Sequence, residues 1–385
     1  MTMHSKQMIV RNARLVLADR VIDDGWLAIV DGVIVEIGEA RPPEGAESMD
    51  GDLLLPGLVE LHTDHIEAHY MPRPKVYWDP VAAVVSYDGQ IATSGITTVL
   101  DSLRVWREEG ADQIGGEAGV LCAAIATARD AGLLRADHYL HLRCEVPMPD
   151  VVNEASTLIG RPEVRLISLM DHTPGQRQFR DEEKLRTYYR GKSGGLTDAE
   201  LDVLFDRRRE YAALHAEDNY RALVALGRRH EKPLASHDDT TPEHVAQAIA
   251  DRVAIAEFPT TIEAAAALHA GGVRVLMGAP NLVRGGSHSG NASTADLARI
   301  GALDALSSDY VPASLLMAAL RLPEVVPAIT LPEAVRTVSK TPAEAVGLTD
   351  RGEIAVGKRA DLIRVHVAGH VPVVRTVWRE GRRVA

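Results

Sequence analysis

The residues of this chain best suited to chemistry are histidines and carboxylates that each close a short apolar run. In order they are His62-Thr63-Asp64, Asp101, Glu145, Asp171-His172, His237-Asp238-Asp239, Glu257 and Asp309. Imidazole nitrogen and carboxylate oxygen are the usual donors to Zn2+, Mn2+ and Fe2+. His62 and Asp64 lie two apart, so on an extended chain both face the same way. A single Asp or His in such a place is most often a turn former or a helix cap, and Asp101, Asp238 and Asp239 carry that reading individually. The set as a whole points to a divalent-metal site. Its candidate ligands are His62, Asp64, Glu145, His172, His237 and Asp309, for one or two ions, zinc first with manganese or iron as alternatives. A metal bound by such donors activates water and polarises an oxygen, which is the chemistry of hydrolysis. His65, Glu67 and His69 follow closely and read either as supporting groups or as ordinary surface and core residues.

The elements that must position these groups alternate in type. Eight apolar, strand-like runs are Gly57–Leu61, Ile96–Leu100, Tyr139–Cys144, Val164–Leu169, Pro233–Ser236, Ala254–Phe258, Val273–Met277 and Ala305–Ser308. Ala-rich helical segments at 115–131, 199–230, 242–251 and 261–271 fall between several of them. Eight buried strands with intervening helices predict an α/β fold, a (β/α)8 barrel of the TIM type over residues 56–345. Catalytic groups in that architecture sit at the C-terminal ends of the strands, where the histidines and acids fall. Both ends of the chain are instead rich in β-branched residues. Asp24-Gly25 and Asp31-Gly32 read as hairpin turns. Residues 1–55 and 346–385 are therefore expected to form one small composite β domain. The polar, Gly-rich insertion 172–198 is longer than an ordinary connection and reads as a substrate lid or a disordered loop.

Composition sets outer limits. The 385 residues are 46% hydrophobic and 25% charged, as in ordinary globular proteins. Lys plus Arg is 42 and Asp plus Glu is 54, so the net charge is 42 − 54 = −12, which disfavours nucleic acid and anionic membrane as partners. Two cysteines, Cys122 and Cys144, are too few for a disulfide framework or a thiolate metal site, and the N-terminus has no apolar signal core. A cytoplasmic protein is expected. Gly352–Lys358 spells the first part of a phosphate-binding P-loop, but Arg359 stands where Ser or Thr would hold magnesium and the context is strand-like.

Leu55–Asp64 resembles the first-strand signature of the amidohydrolase superfamily, with His-x-Asp in place of His-x-His. Ser94–Val99 resembles its second strand, and Ile354–Leu362 its return into a composite β domain. The resemblance is closer to one branch, the phosphonate-metabolism hydrolases of the carbon–phosphorus lyase pathway. It is carried by His62-Thr63-Asp64, Pro72–Lys75, His141–Glu145, Ser168–Phe179, Ala235–Asp239, Ala256–Thr261, Met277–Asn291 and Ser307–Tyr310, across essentially the whole chain.

What the resemblance implies is hydrolysis of α-D-ribose 1-methylphosphonate 5-triphosphate to the 5-phosphate and pyrophosphate. Asp309 would be the residue that touches metal and handles the proton, and Glu145 would take the bridging role usually held by a lysine. A homodimer is also expected. A substrate so rich in phosphate needs cations in an acidic protein. Arg73, Lys75, Arg143, Arg177, Lys192 and Arg284 stand in or near the loops that follow strands, and Ser287 and His288 lie in a Gly-Gly-Ser-His-Ser-Gly run able to offer N–H and hydroxyl groups to an anion. Lys184, Arg190, Tyr188 and Tyr189 of the insertion are further candidates, or solvated lid surface. The competing readings are a cyclic amidohydrolase or deaminase acting on a C–N bond, which would need fewer cations, and a non-catalytic binding subunit.

Overall fold

The computed structural model describes residues 7–39, 41–106, 116–192, 196–287 and 290–385. Its centre is a sheet of eight parallel strands paired in sequence order: Leu58–Thr63, Ile96–Arg104, Asp137–Glu145, Val164–Met170, Leu234–His237, Ile255–Glu257, Arg274–Gly278 and Ala305–Ser307. They are called barrel strands one to eight below. Strands one and eight meet through a parallel bridge between Thr63 and Asp309, so the sheet curls into the expected (β/α)8 barrel. Val59, Leu61, Leu100, Leu166, Ala235, Ile255, Leu276 and Ala305 fill its interior. Ala343, Ala345, Val346 and Leu348 close the end opposite the strand C-termini. A larger apolar layer lies between strands and outer helices, which is why these strands read as nearly unbroken apolar runs.

The second barrel strand runs four residues beyond the predicted end at Leu100. Asp101 is consequently mid-strand, fully buried, and turned toward His138 rather than the barrel mouth. The imidazole of His138 is what allows a carboxylate inside the strand.

Strands from both chain ends form a second sheet in the order Arg382–Arg383, Val371–Arg379, Leu362–Ala368, Leu53–Pro56, Gln7–Val16, Val21–Val30, Val33–Glu39. It has its own core, including Leu15, Leu27, Ile29, Ile34, Leu54, Leu362 and Trp378. Asp31-Gly32 makes the expected tight turn, both residues having positive φ. Asp24-Gly25 does not. It lies within the strand Val21–Val30, and a Cβ on Gly25 would come within 2.5 Å of Leu15. That glycine serves a close approach between strands, not a reversal.

The 172–198 segment is not a structureless loop. It carries a 3-10 turn, Arg177–Phe179, and a helix, Glu182–Lys192. A capping box at Thr197 and Glu200 then opens a 32-residue helix, Asp198–Arg229. Phe179, Leu185, Tyr189, Leu201, Leu204 and Phe205 form a separate small core. The far end of the long helix, through Leu223, Val224 and Leu226, belongs to the barrel's own core. In its middle, the Asn219 amide donates to the carbonyls of Val146 and Met148, just past Glu145. No helix among the described residues is long and apolar enough to cross a membrane.

Candidate active site

A cavity of about 770 Å3 opens at the C-terminal ends of the strands, and its floor is made by strand-end side chains. In the first strand, pairing to the second slips between Glu60 and Thr63. Leu61 and His62, adjacent in sequence, therefore both face inward: Leu61 joins the barrel interior and His62 lines the cavity. Glu145, His237 and Glu257 are the last residues of strands three, five and six. Asp238, Phe258 and Asp309, each just after a strand, have φ of 55°, 54° and 54°. This left-handed conformation is uncommon away from glycine and clusters at active sites. Here it turns three side chains inward from strand ends.

The groups form two overlapping sets. The donor atoms of His62, His237 and Glu257 lie within 4.8 Å of one another, and so do those of His172, His237 and Asp238. His62 Nδ1 is 2.9 Å from Glu257, which also accepts from Ser168 Oγ at 2.6 Å. His172 Nδ1 is 2.6 Å from Glu145, and His237 Nδ1 is 2.6 Å from Asp238. Phe258 packs its ring against both His62 and His237. It walls the cluster from water on that side.

Burial and mutual charge set the protonation states. Burial lowers the pKa of His62 despite the Glu257 charge, and in the same way takes His141 down to about 3. Both imidazoles are therefore neutral, the form that can bind a metal. Burial alone would raise Glu257, but His62 and His141 hold it below the usual carboxylate range. Burial would likewise lower His172, yet Glu145 and Asp238 raise it, so without a cation it keeps a proton between two acids. Asp309 is pushed up to about 7, first by burial and then by the Asp64 charge, with Arg143 opposing. A carboxyl in that range takes and releases protons near neutrality.

These residues fit a divalent ion. Among the described residues His237 Nε2 and His141 Nε2 are buried without a hydrogen-bond partner, a costly arrangement for a ring nitrogen unless another ligand satisfies it. The neutral rings of His62 and His141 and the carboxylates of Glu257 and Asp238 surround that space. Such an ion supplies positive charge that polarises a phosphoryl oxygen and acidifies water.

All six candidate ligands line the cavity: His62, Asp64, Glu145, His172, His237 and Asp309. They do not stand alike. Asp64 lies against two arginines, 3.3 Å from Arg143 and 3.8 Å from Arg104, and outside both close donor sets. Glu257 and Asp238 are inside those sets. Of the candidate substrate residues, Arg143, Arg284 and Ser287 line the cavity. Arg73 and Lys75 are exposed and lie off its wall. Arg177 points elsewhere, its guanidinium donating to the His237 carbonyl at 2.8 Å and to Asp239 at 3.2 Å; it braces the fifth strand's end. The Lys192 side chain and His288 lie outside the described residues. Two cavity arginines were not foreseen. Arg104 ends the extended second strand and pairs with Glu67 at 2.7 Å. Arg208, on the long helix, sits 5.2 Å from the Tyr189 ring centre, and its charge helps lower Glu145.

The model of the Amidohydrolase family matches residues 116–385. The chain is also 46% identical over 381 residues to the alpha-D-ribose 1-methylphosphonate 5-triphosphate diphosphatase of Escherichia coli K12, covering 98% of this chain and 100% of that one. This chain belongs to the amidohydrolase family. Solved structures with the same fold include the 5-methylcytosine deaminase from Klebsiella pneumoniae, at TM-score 0.65 and 16% identity over 98% of both chains. The N-acetyl-D-glucosamine-6-phosphate deacetylase from Mycobacterium smegmatis aligns with TM-score 0.61 and 16% identity over 98% of this amidohydrolase and 99% of that chain. At such identities the likeness is one of fold alone.

Proposed function

We propose that this amidohydrolase hydrolyses α-D-ribose 1-methylphosphonate 5-triphosphate to the 5-phosphate and pyrophosphate with the aid of a divalent ion, zinc first. The observation that carries the reading is the cavity wall. In a protein of net charge −12, four arginines, Arg104, Arg143, Arg208 and Arg284, border a cavity floored by histidines and acids. Guanidinium forks grip phosphate oxygens, whereas a neutral amide or pyrimidine calls for no such ring. The E. coli relative, by its name, acts on that triphosphate.

In this reading His62, His237 and Glu257 would hold one ion, and His172, His237 and Asp238 form an overlapping set able to hold a second, with Glu145 on the other nitrogen of His172. Asp64 would be shared between the metal and the arginines. The triphosphate lies among Arg104, Arg143, Arg208 and Arg284, with Ser287 at the rim. Asp309 takes the proton of the attacking water, and the apolar side, Trp106, Phe179, Phe258 and Met277, excludes bulk solvent.

The test is a phosphorus NMR time course on purified protein, treated with chelator and then reloaded with zinc or manganese. Pyrophosphate and the ribose 5-phosphate product in equal amounts, only in the loaded sample, are expected. Release of inorganic phosphate alone, or no turnover with either metal, would overturn the assignment.

A further inference from the structure

The seam between barrel strands one and eight has few ladder bonds. Lower down, the connection at Thr337 and Val338 fills it: Leu306 N–H donates to the Thr337 carbonyl and Val59 N–H to the Val338 carbonyl, each at 2.9 Å. At the mouth two side chains fill it. The Glu60 carboxylate, with no exposed surface, accepts the His62 N–H at 2.7 Å on one oxygen and the Ser308 N–H at 2.6 Å on the other. The Ser307 hydroxyl donates to the His62 carbonyl and accepts the Asp309 N–H at 3.1 Å.

Each contact has a cause in the backbone. The slip after Glu60 takes the His62 N–H out of regular strand pairing, and strand eight ends at Ser307. The amides of His62 and Ser308 then need acceptors in a place without water. One carboxylate, having two oxygens, serves both. His62 and Asp309, 247 positions apart in the chain (309 − 62), are thus tied through Glu60 and Ser307.

We infer that Glu60 is a positioning residue for hydrolysis: by bridging the first-strand slip to the end of strand eight, its carboxylate fixes where Asp309 stands relative to the His62 ring. The role of Asp309 in turnover rests on the function proposed above; the geometry of His62 does not. Misplacement of reacting groups by about an ångström costs on the order of 100-fold in rate. Glutamine at 60 keeps the shape but turns an N–H2 group toward one of the two amides, where donor faces donor.

The experiment compares wild type, Glu60→Gln and Ser307→Ala as cobalt-loaded holoenzymes. Ser307→Ala removes the other link of the same seam with a smaller change in the core. Metal content, the visible ligand-field spectrum, kcat and KM are read for each. The expected result is full metal content, shifted cobalt bands, a kcat reduced about tenfold or more and a KM within about twofold of wild type. A wild-type spectrum and kcat in both variants overturns the inference. So does a kcat loss that only follows lost metal or lost folded protein in both. If wild type releases no pyrophosphate, the proposed function fails, while the cobalt spectra still decide whether Glu60 sets the geometry at His62.

Discussion

His138 is the place where removal of one side chain should most change how stability depends on pH. Its ring has no exposed surface and lies 2.9 Å from Asp101 and 3.2 Å from Asp88. Burial would lower its pKa, but the Asp101 charge and both carboxylate hydrogen bonds raise it from 6.5 to about 10. Asp88 has other partners, the backbone amides of Arg135 and Ala136 and the Arg135 guanidinium. The second oxygen of Asp101 has no hydrogen-bond partner among the described residues. Replacing His138 by glutamine therefore strands one buried carboxylate, which costs about 3–5 kcal/mol. The pKa gives the same scale: a rise from 6.5 to about 10 corresponds to on the order of 5 kcal/mol as an upper bound. Because the folded value lies above the unfolded one, the contribution is whole below pH 6.5 and fades as pH climbs toward 10. Calorimetric melting temperatures from pH 6 to 10 should thus separate wild type from His138→Gln by several degrees at pH 6 and converge at the alkaline end. Adding Asp101→Asn to the variant should restore most of the loss, since no charge is then left alone. A gap that stays constant across that pH range, or a double variant no better than the single one, would refute the reasoning.

Other predictions concern the cavity. Glu257→Gln weakens the hold on His62 and removes a donor, so metal affinity measured by chelator competition should fall about 10- to 100-fold; an unchanged affinity removes Glu257 from the metal group. Arg208→Ala should raise KM for the triphosphate by roughly ten- to 100-fold, the worth of a charge-assisted hydrogen bond, and weaken inhibition by pyrophosphate alike; equal KM values would place Arg208 away from bound phosphate. Asp309→Asn should lower kcat by about 100-fold or more. In wild type a base with a pKa raised to about 7 loses activity as pH falls through that value, and bound metal moves this limb lower. An acid limb unchanged in the asparagine variant's residual activity would assign it to another group.

Much of the site could be read from the chain because a histidine or carboxylate at the end of a mainly apolar run marks the barrel mouth. His62, Glu145, His237 and Glu257 obey that rule, each at or next to the end of its strand. Asp101 breaks it: His138, distant in sequence until the third strand arrives, supplies the charge that lets an acid sit inside strand two. Reading the strand as ended at Asp101 also concealed Arg104, three residues farther on. Arg208 was hidden differently. It is the middle of Arg207-Arg208-Arg209 on a helix, and only the packing of Tyr189 and the small separate core decides which of three equivalent charges faces inward. Arg177 shows the reverse, a cation in a suggestive loop whose bonds go to the backbone of strand five. The helices of the insertion were obscured by the glycines around residues 191–195 and by a polar composition that a small, separate core can tolerate.

That small core has a consequence for how this enzyme can diverge. Phe179, Leu185, Tyr189, Leu201, Leu204 and Phe205 pack among themselves, so substitutions exchanged within that group are absorbed locally. Arg208 and the cavity face of Tyr189 travel with it, whereas the histidines and acids belong to the barrel. One side of the cavity wall and its reactive floor are thereby written in different stretches of polypeptide, and a lineage, or a protein engineer, can revise that side while leaving Arg104, Arg143, Arg284 and the floor untouched.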